Sequence, residues 1–447
     1  MDRMAIEGGK ALRGEISIHG AKNAVLPILS AALLTPWAVI ENCPQLTDVM
    51  ASCRILEHLG CRVTAQDNTL TLDASEAHGS GISSRLTGEM RGSIVFLGAL
   101  LAKFGRAQIA LPGGCRLGPR PIDLHLSGLR QMGARIIEQP DGLICSVDGR
   151  LKGAKIQLRY PSVGATENLL IAAVLAQGET VVHGAAREPE IDSLIRFLQL
   201  AGAKIRRVGQ SVCVEGVETL QGVEYRVIPD RIEAATYLSA AAATGGEISL
   251  RGVMLPHLAA ILPVLEEMGC QIQSAEDTVS LKAPKRLMPV QYLATAPYPA
   301  FPTDALAPIM VPALLADGTS RFEETVFDGR YYHVDQLLSM GAQIGLDGRR
   351  ADVHGVKALK ASALHCTDLR GGAALLTAAL AAQGTSTLSR LEHLYRGYAQ
   401  LLPTLRELGA NVWLMTQDSV KSEDSCAYLA RMDFDTVAEH AGRIAAI

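Results

Sequence analysis

The sequence predicts an α/β protein made of six similar units, gathered as two lobes of three. Three observations carry this reading. A glycine between an apolar and a small residue recurs in HLGCRVT, QMGARII, LAGAKIR, EMGCQIQ, SMGAQIG and ELGANVW, at Gly60, Gly133, Gly202, Gly269, Gly341 and Gly409. Successive glycines lie about seventy residues apart, which is the period of a repeat. Each is preceded by a helix-period apolar pattern and followed by alternating stretches, and each unit carries an alanine-rich run further upstream.

Within a unit, the elements follow from local chemistry. The first helix is the small-residue run: NAVLPILSAALL, GSIVFLGALLAK, TENLLIAAVLA, IEAATYLSAAAA, DALAPIMVPALLA or GGAALLTAALAA. Small side chains let helices approach closely, so these six belong inside with the sheets around them. The second helix is amphipathic; in PEIDSLIRFLQLAG, Ile191, Leu194, Ile195 and Leu198 fall at i, i+3, i+4 and i+7. The recurring glycine then ends it as a left-handed cap. Segments such as CRVTAQDNTLTLDA and AKIRRVGQSVCVEG alternate about a polar turn and read as hairpins. The unit is therefore strand, helix, strand, helix, hairpin.

Bulk composition narrows the function. A chain of 447 residues exceeds one ordinary core, and with 48% hydrophobic but only 4% aromatic residues its core is aliphatic. A net charge of −4 gives no global field for nucleic acid or an anionic membrane, so any anion site is local. The start MDRMAIEGGKALRG lacks the layout of a signal peptide, and apolar runs such as 94–102 fall short of the ~20 residues that span a bilayer; a soluble cytoplasmic protein is expected. Nine cysteines stand singly without a CxxC pair, so a disulfide framework is not expected and most are read as small buried hydrophobes. The eleven histidines show no ligand spacing, and no metal is expected. Neither GxxxxGK[ST] nor a strand-linked GxGxxG occurs, so the expected anion is a substrate and no cofactor is implied.

Polar residues cluster where the first helices begin: Lys22-Asn23, Arg91, Ser162-Val163-Gly164, Asp230-Arg231, Asp304 and Arg370. Helix N-termini present unpaired N–H groups and partial positive charge, so equivalent starts facing one cleft make an anion site. Arg120, Arg330 and Arg396 stand in polar loops nearby in sequence. Guanidinium forks suit a phosphate or a carboxylate. In LPGGCRLGPRPIDLH, the glycines and prolines mark a loop that carries Cys115 between Gly113-Gly114 and the cations Arg116 and Arg120. Those cations pull its thiol pKa down toward neutrality, which fits a proton donor or a nucleophile.

Taken together, KN at Lys22-Asn23, LPGGC and RPIDLHL around Cys115, PSVGAT at Pro161–Thr166, AAREPEI at Ala185–Ile191, PDRIE at Pro229–Glu233, PAFPTD ending at Asp304, TDLR ending at Arg370 and RGY at Arg396–Tyr398 resemble the UDP-N-acetylglucosamine enolpyruvyl transferases, over about residues 1 to 415. The resemblance implies two inside-out α/β barrel-like domains of three repeats each, with the active site between them. Their expected spans are 22–229, which carries the Cys115 loop, and 1–21 with 230–415; residues 416–447 are an extension of unassigned role.

The same resemblance implies transfer of the enolpyruvyl group of phosphoenolpyruvate to the 3′-hydroxyl of UDP-N-acetylglucosamine, with loss of phosphate, as the committed step of peptidoglycan synthesis. Lys22, Arg120 and Arg396 are then expected on the phosphate, and Arg330 and Arg370 at the carboxylate. Asn23 and Asp304 address the sugar. Arg120, Pro121, Ile122, Asp123, Leu124, Ser162, Val163, Gly164 and Val326 line the uridine diphosphate site, and Arg91 joins the substrate-binding set. Cys115 is the expected acid and Asp304 the base, with Lys22 and Arg396 completing the catalytic group. Two departures stand out: Tyr395 occupies the position before the RGY arginine where the family usually has aspartate, and the tail 416–447 matches nothing in it. A shikimate-3-phosphate enolpyruvyl transferase shares the repeats but lacks the PGGC loop. A paralogue that binds the nucleotide sugar without turnover is the alternative of another class.

Overall fold

The computed structural model describes residues 3–110 and 121–415, so Cys115, Arg116 and Arg120 lie outside the described residues. Within that span the chain forms six four-stranded sheets of one pattern. In the third unit, Lys155–Gln157 pairs in parallel with Glu179–His183, and the helix Val163–Ala173 makes the crossover. Glu179–His183 runs antiparallel to Ser211–Glu215, which closes a hairpin with Lys204–Val208. The helix Pro189–Leu200 lies between the second strand and that hairpin. This is the strand, helix, strand, helix, hairpin order that the sequence predicts.

The recurring glycines end the second helices with φ between +78° at Gly409 and +98° at Gly202. An L side chain is strained in that left-handed region, so glycine recurs there for a backbone reason. The segment GSIVFLGALLAK differs from its counterparts: it opens as a 3₁₀ turn, Arg91–Val95, before the α-helix Phe96–Phe104.

Among the described residues, 3–19 with 229–415 make one compact unit, and 20–110 with 121–228 make the other. In the first, the helices Arg231–Ala243, Thr303–Ala313 and Leu369–Ala381 pack on one another, and all 13 residues of Arg231–Ala243 are buried. In the second, Lys22–Ala32, Phe96–Phe104 and Val163–Ala173 do the same. A helix enclosed on every side cannot be amphipathic, which is why these runs are alanine-rich all round. The strands around them alternate, with Ile248 and Leu250 inward while Glu247 and Arg251 face water.

Strand partnership departs from chain order in three places. Arg13–Ser17 precedes the helix Lys22–Ala32 but pairs with Glu247–Arg251, and Val223–Arg226 precedes Arg231–Ala243 but pairs with Trp37–Glu41. Each compact unit is thus completed by a strand from the chain leading into the other. The sixth hairpin is also corrected: Asn411–Met415 pairs with Arg3–Glu7, which lies antiparallel between it and Thr385–Ser389. Period-two alternation specifies a strand's faces and carries no address for its partner.

The N-terminal strand is therefore a central strand of the sixth sheet, and Ile6 is fully buried in it. Ile6→Ala is expected to cost about 2–5 kcal/mol in urea unfolding. Ile137→Ala, at a position 60% exposed, is expected to stay within about 0.5 kcal/mol. Equal effects of the two changes would contradict the placement of residues 3–7.

Candidate active site

In the unit formed by 3–19 and 229–415, the starts of the three inner helices converge. Asp230 caps Arg231–Ala243, its side chain accepting from the N–H groups of Ile232 (2.8 Å) and Glu233 (3.0 Å). Asp368 caps Leu369–Ala381 in the same way, accepting from Arg370 N–H (3.0 Å) and Gly371 N–H (3.1 Å). Asp304 lies in the first turn of Thr303–Ala313.

Asp304 joins two guanidinium groups. Its Oδ1 accepts from Arg330 Nη2 at 2.8 Å and its Oδ2 from Arg370 Nη2 at 2.9 Å. Both arginine side chains are almost wholly buried, while the Asp304 side chain is 26% exposed. Burial works against the Arg370 charge, but Asp304, Tyr398 and Asp230 outweigh it and raise its pKa. Arg370 Nη1 is buried and meets no hydrogen-bond acceptor among the described residues. A desolvated guanidinium donor of that kind is suited to an oxyanion.

Arg330 is fixed by what surrounds it. Its Nε donates to Thr303 Oγ1 at 3.1 Å, and Thr303 donates to buried Glu324 at 2.7 Å. Glu324 Oε1 in turn accepts from the N–H groups of Val326 (2.7 Å) and Phe327 (2.9 Å), and the Phe327 ring lies 5.1 Å beneath the Arg330 guanidinium. Val326 is thereby held in a loop whose shape Glu324 sets, and its own side chain is exposed. Arg396 is half-buried, beside Gly397, which packs against Leu369. Tyr398 anchors this RGY turn through its hydroxyl, 2.9 Å from Thr236 Oγ1. Tyr395 packs against the hydrophobic core, so it is a packing residue where an aspartate was the family expectation.

The other unit brings together a second group. Lys22 is the first residue of its helix, followed by Asn23, and its Nζ lies 2.7 Å from Asp48 Oδ2. Ser162 caps Val163–Ala173, accepting from Ala165 N–H at 3.3 Å. Gly164 lets that first turn approach the His125 ring, since a Cβ there would stand 3.3 Å from its Cε1. His125 follows Asp123 and Leu124 on the helix Asp123–Gln131, after Pro121 and Ile122, so the 121–124 and 162–164 segments are neighbours. Asn168 locks them: its amide lies 3.0 Å from His125 Nδ1 and accepts from Gly98 N–H at 2.6 Å. Asp123 pairs with Arg159 through Oδ2 at 2.7 Å, while its Oδ1 is buried without a hydrogen-bond partner among the described residues.

Arg91 is the first residue of its 3₁₀ turn. The seven described cysteines are free, buried thiols. Among the described residues, no group of His, Cys, Asp and Glu could hold a metal, and no helix is long and apolar enough to cross a membrane.

Several supporting residues escaped sequence reasoning: Asp48, Thr303, Glu324, His125, Asn168 and His333. Asp368 was signalled by its place two residues before Arg370, a capping position, and His125 and Thr303 lie within RPIDLHL and PAFPTD, where no role was assigned to them; for Asp48, Glu324, Asn168 and His333 no local pattern pointed to the site. His333 is fully buried, and neither ring nitrogen makes a hydrogen bond among the described residues. It lies against the site, because a Cβ on Gly371 would meet His333 Cβ at 3.0 Å and Asp368 Oδ2 at 2.6 Å.

The profile of the EPSP synthase (3-phosphoshikimate 1-carboxyvinyltransferase) family matches residues 6–405. The protein named UDP-N-acetylglucosamine 1-carboxyvinyltransferase 2 from Caldanaerobacter subterraneus subsp. tengcongensis is 44% identical over 92% of this chain and 99% of its own. UDP-N-acetylglucosamine 1-carboxyvinyltransferase 1 from Symbiobacterium thermophilum is 46% identical over 92% of this chain and 95% of its own. Among solved structures, the enolpyruvyl transferase NikO from Streptomyces tendae superposes with a TM-score of 0.84 at 25% identity, covering 93% of this chain and 99% of its own. The chain belongs to the enolpyruvyl transferases of the EPSP synthase family, in the branch of the UDP-N-acetylglucosamine 1-carboxyvinyltransferases.

Burial lowers the His333 pKa to about 4 against the weaker pull of Asp368 and the Arg330 backbone, with the Arg330 charge acting in the same direction as burial. The folded state therefore binds fewer protons than the unfolded chain below the ordinary histidine pKa. The neutral imidazole's contribution is complete near pH 7 and is lost as pH falls toward 4. The urea midpoint is expected to fall between pH 7 and pH 5, with a smaller fall in His333→Gln. Identical pH dependence in the two proteins would contradict a neutral buried His333.

Proposed function

We propose that this protein transfers the enolpyruvyl group of phosphoenolpyruvate to the 3′-hydroxyl of UDP-N-acetylglucosamine and releases phosphate, the committed step of peptidoglycan synthesis. It does so in the cytoplasm, without a cofactor. The observation that carries the reading is the carboxylate of Asp304 held between two buried guanidinium groups at the start of an inner helix. Such a group combines an acceptor for a hydroxyl proton with cations for a substrate carboxylate.

The reaction adds and then eliminates. An acid donates a proton to the methylene carbon of phosphoenolpyruvate, the sugar oxygen bonds to the adjacent carbon, and a base takes the hydroxyl proton. The tetrahedral adduct then expels phosphate while the methyl group returns a proton, which restores the enol ether. Cationic character builds at the central carbon before the sugar oxygen arrives, so fixed anions and acceptors are required there. In this reading Cys115 is the acid and Asp304 the base. Lys22, Arg120 and Arg396 hold the phosphate, and Arg330 and Arg370 the carboxylate. Asn23 and Asp304 orient the sugar; Arg91, residues 120–124, Ser162, Val163, Gly164 and Val326 hold the remainder of the nucleotide sugar. That Asp123 Oδ1 meets no hydrogen-bond donor among the described residues supports that nucleotide assignment, because a uracil N–H is a donor it could accept from.

Phosphate release is expected only when both substrates are present, and release with either one omitted would contradict the reaction. Cys115→Asp is expected to keep activity with its optimum moved to lower pH, since a carboxyl still delivers a proton. Cys115→Ser is expected to lose it almost entirely. An epoxide analogue of phosphoenolpyruvate such as fosfomycin is expected to alkylate Cys115, seen by peptide mapping. Label on another cysteine in inactivated enzyme would overturn the assignment.

A further inference from the structure

We infer that Asp48 is a positioning residue for Lys22, holding that ammonium where it meets the phosphate of phosphoenolpyruvate. The inference rests on the reading of Lys22 as a phosphate contact and adds a residue that the sequence motifs do not contain.

Lys22 begins the helix Lys22–Ala32, and Asp48 stands in the first turn of the helix Thr47–His58 that packs against it. Their charged atoms are 2.7 Å apart, with both side chains largely buried. The Asp48 backbone is braced as well, its carbonyl accepting from Ser52 Oγ at 3.1 Å. Ser52 is itself fully buried.

A lysine reaches its target through four flexible methylenes, and unlike a guanidinium it has no fixed fork to set the direction of its donors. Aim has to come from a partner. A buried ion pair is seldom retained for stability, because well-packed apolar side chains of similar volume serve as well or better. It does fix where a charge sits. An ammonium carries three donors and can engage a carboxylate and an oxyanion at once. The pair also keeps a cation at the head of an inner helix, whose own N-terminus favours an arriving anion. Its place in the second helix explains why Asp48 was missed: no motif covers TDVMASC, and the two residues meet only because the helices pack.

The test is a double-mutant cycle on the full-length protein, with steady-state kinetics for each substrate and thermal unfolding of every variant. Asp48→Asn keeps shape and removes charge. It is expected to raise the KM for phosphoenolpyruvate about tenfold or more while leaving the KM for UDP-N-acetylglucosamine within about twofold. Asp48→Glu is expected to restore the phosphoenolpyruvate KM to within about threefold of the parent. In a Lys22→Met background, Asp48→Asn is expected to add no further loss, because the two act as one unit. If Lys22→Met weakens phosphoenolpyruvate and Asp48→Asn does not, the inference fails while the reading of Lys22 stands. A full additional loss in the Lys22→Met background also overturns it. If Lys22→Met leaves the phosphoenolpyruvate KM unchanged, the phosphate assignment itself fails and the inference with it. Should Asp48→Asn not unfold cooperatively, Asp48→Glu decides: a loss as large as that of Lys22→Met contradicts the inference.

Discussion

The carboxylate of Asp304 between Arg330 and Arg370 is the interaction on which the rest of this site depends. Two guanidinium groups this deeply buried repel each other, and each is costly to remove from water. One carboxylate bonded to both answers that repulsion, and the surroundings supply the rest. Thr303 and Glu324 orient Arg330, Phe327 covers its face, and Asp368 caps the helix that carries Arg370. Asp304 remains a quarter exposed, so the group that neutralises the two arginines is itself open to approach.

The fold serves this arrangement by repetition. In the unit of 3–19 and 229–415 the three inner helices begin beside one another, and this brings Asp230, Asp304 and Arg370 together. The helices can lie close enough only because they are lined with alanine, as Arg231–Ala243 illustrates in burying all of its residues. The scarcity of aromatic residues in the composition is the same fact viewed from the sequence. Bulky side chains on these helices would spread their N-termini and dissolve the site.

What was legible in the sequence and what was not divides along physical lines. The glycine caps, the alanine-rich helices and the alternating strands depend on neighbours within a few residues, and each lies where its local pattern puts it. Only the resemblance placed 1–21 with 230–415; which strands Arg13–Ser17 and Val223–Arg226 pair with was hidden, because alternation does not name a partner strand. So was the closure of the sixth sheet by Arg3–Glu7, which brings residue 5 beside residue 413. In the site, residues at helix starts could be found by position: Lys22, Ser162, Asp304 and Arg370 each stand in a first turn or cap. Residues that act through packing could not. Glu324 and His333 reach the site from a strand end and a second helix, and no spacing links them to Arg330 or Asp368.

Asp304, held by its two arginines, is the group proposed to meet the acceptor hydroxyl. A crystal structure with UDP-N-acetylglucosamine bound tests it most directly. The sugar 3′-oxygen is expected within about 2.6–3.2 Å of an Asp304 carboxylate oxygen, with Arg330 and Arg370 still donating to that carboxylate. A nucleotide sugar bound with its 3′-hydroxyl on other residues, and Asp304 engaged only by the two arginines, would contradict it.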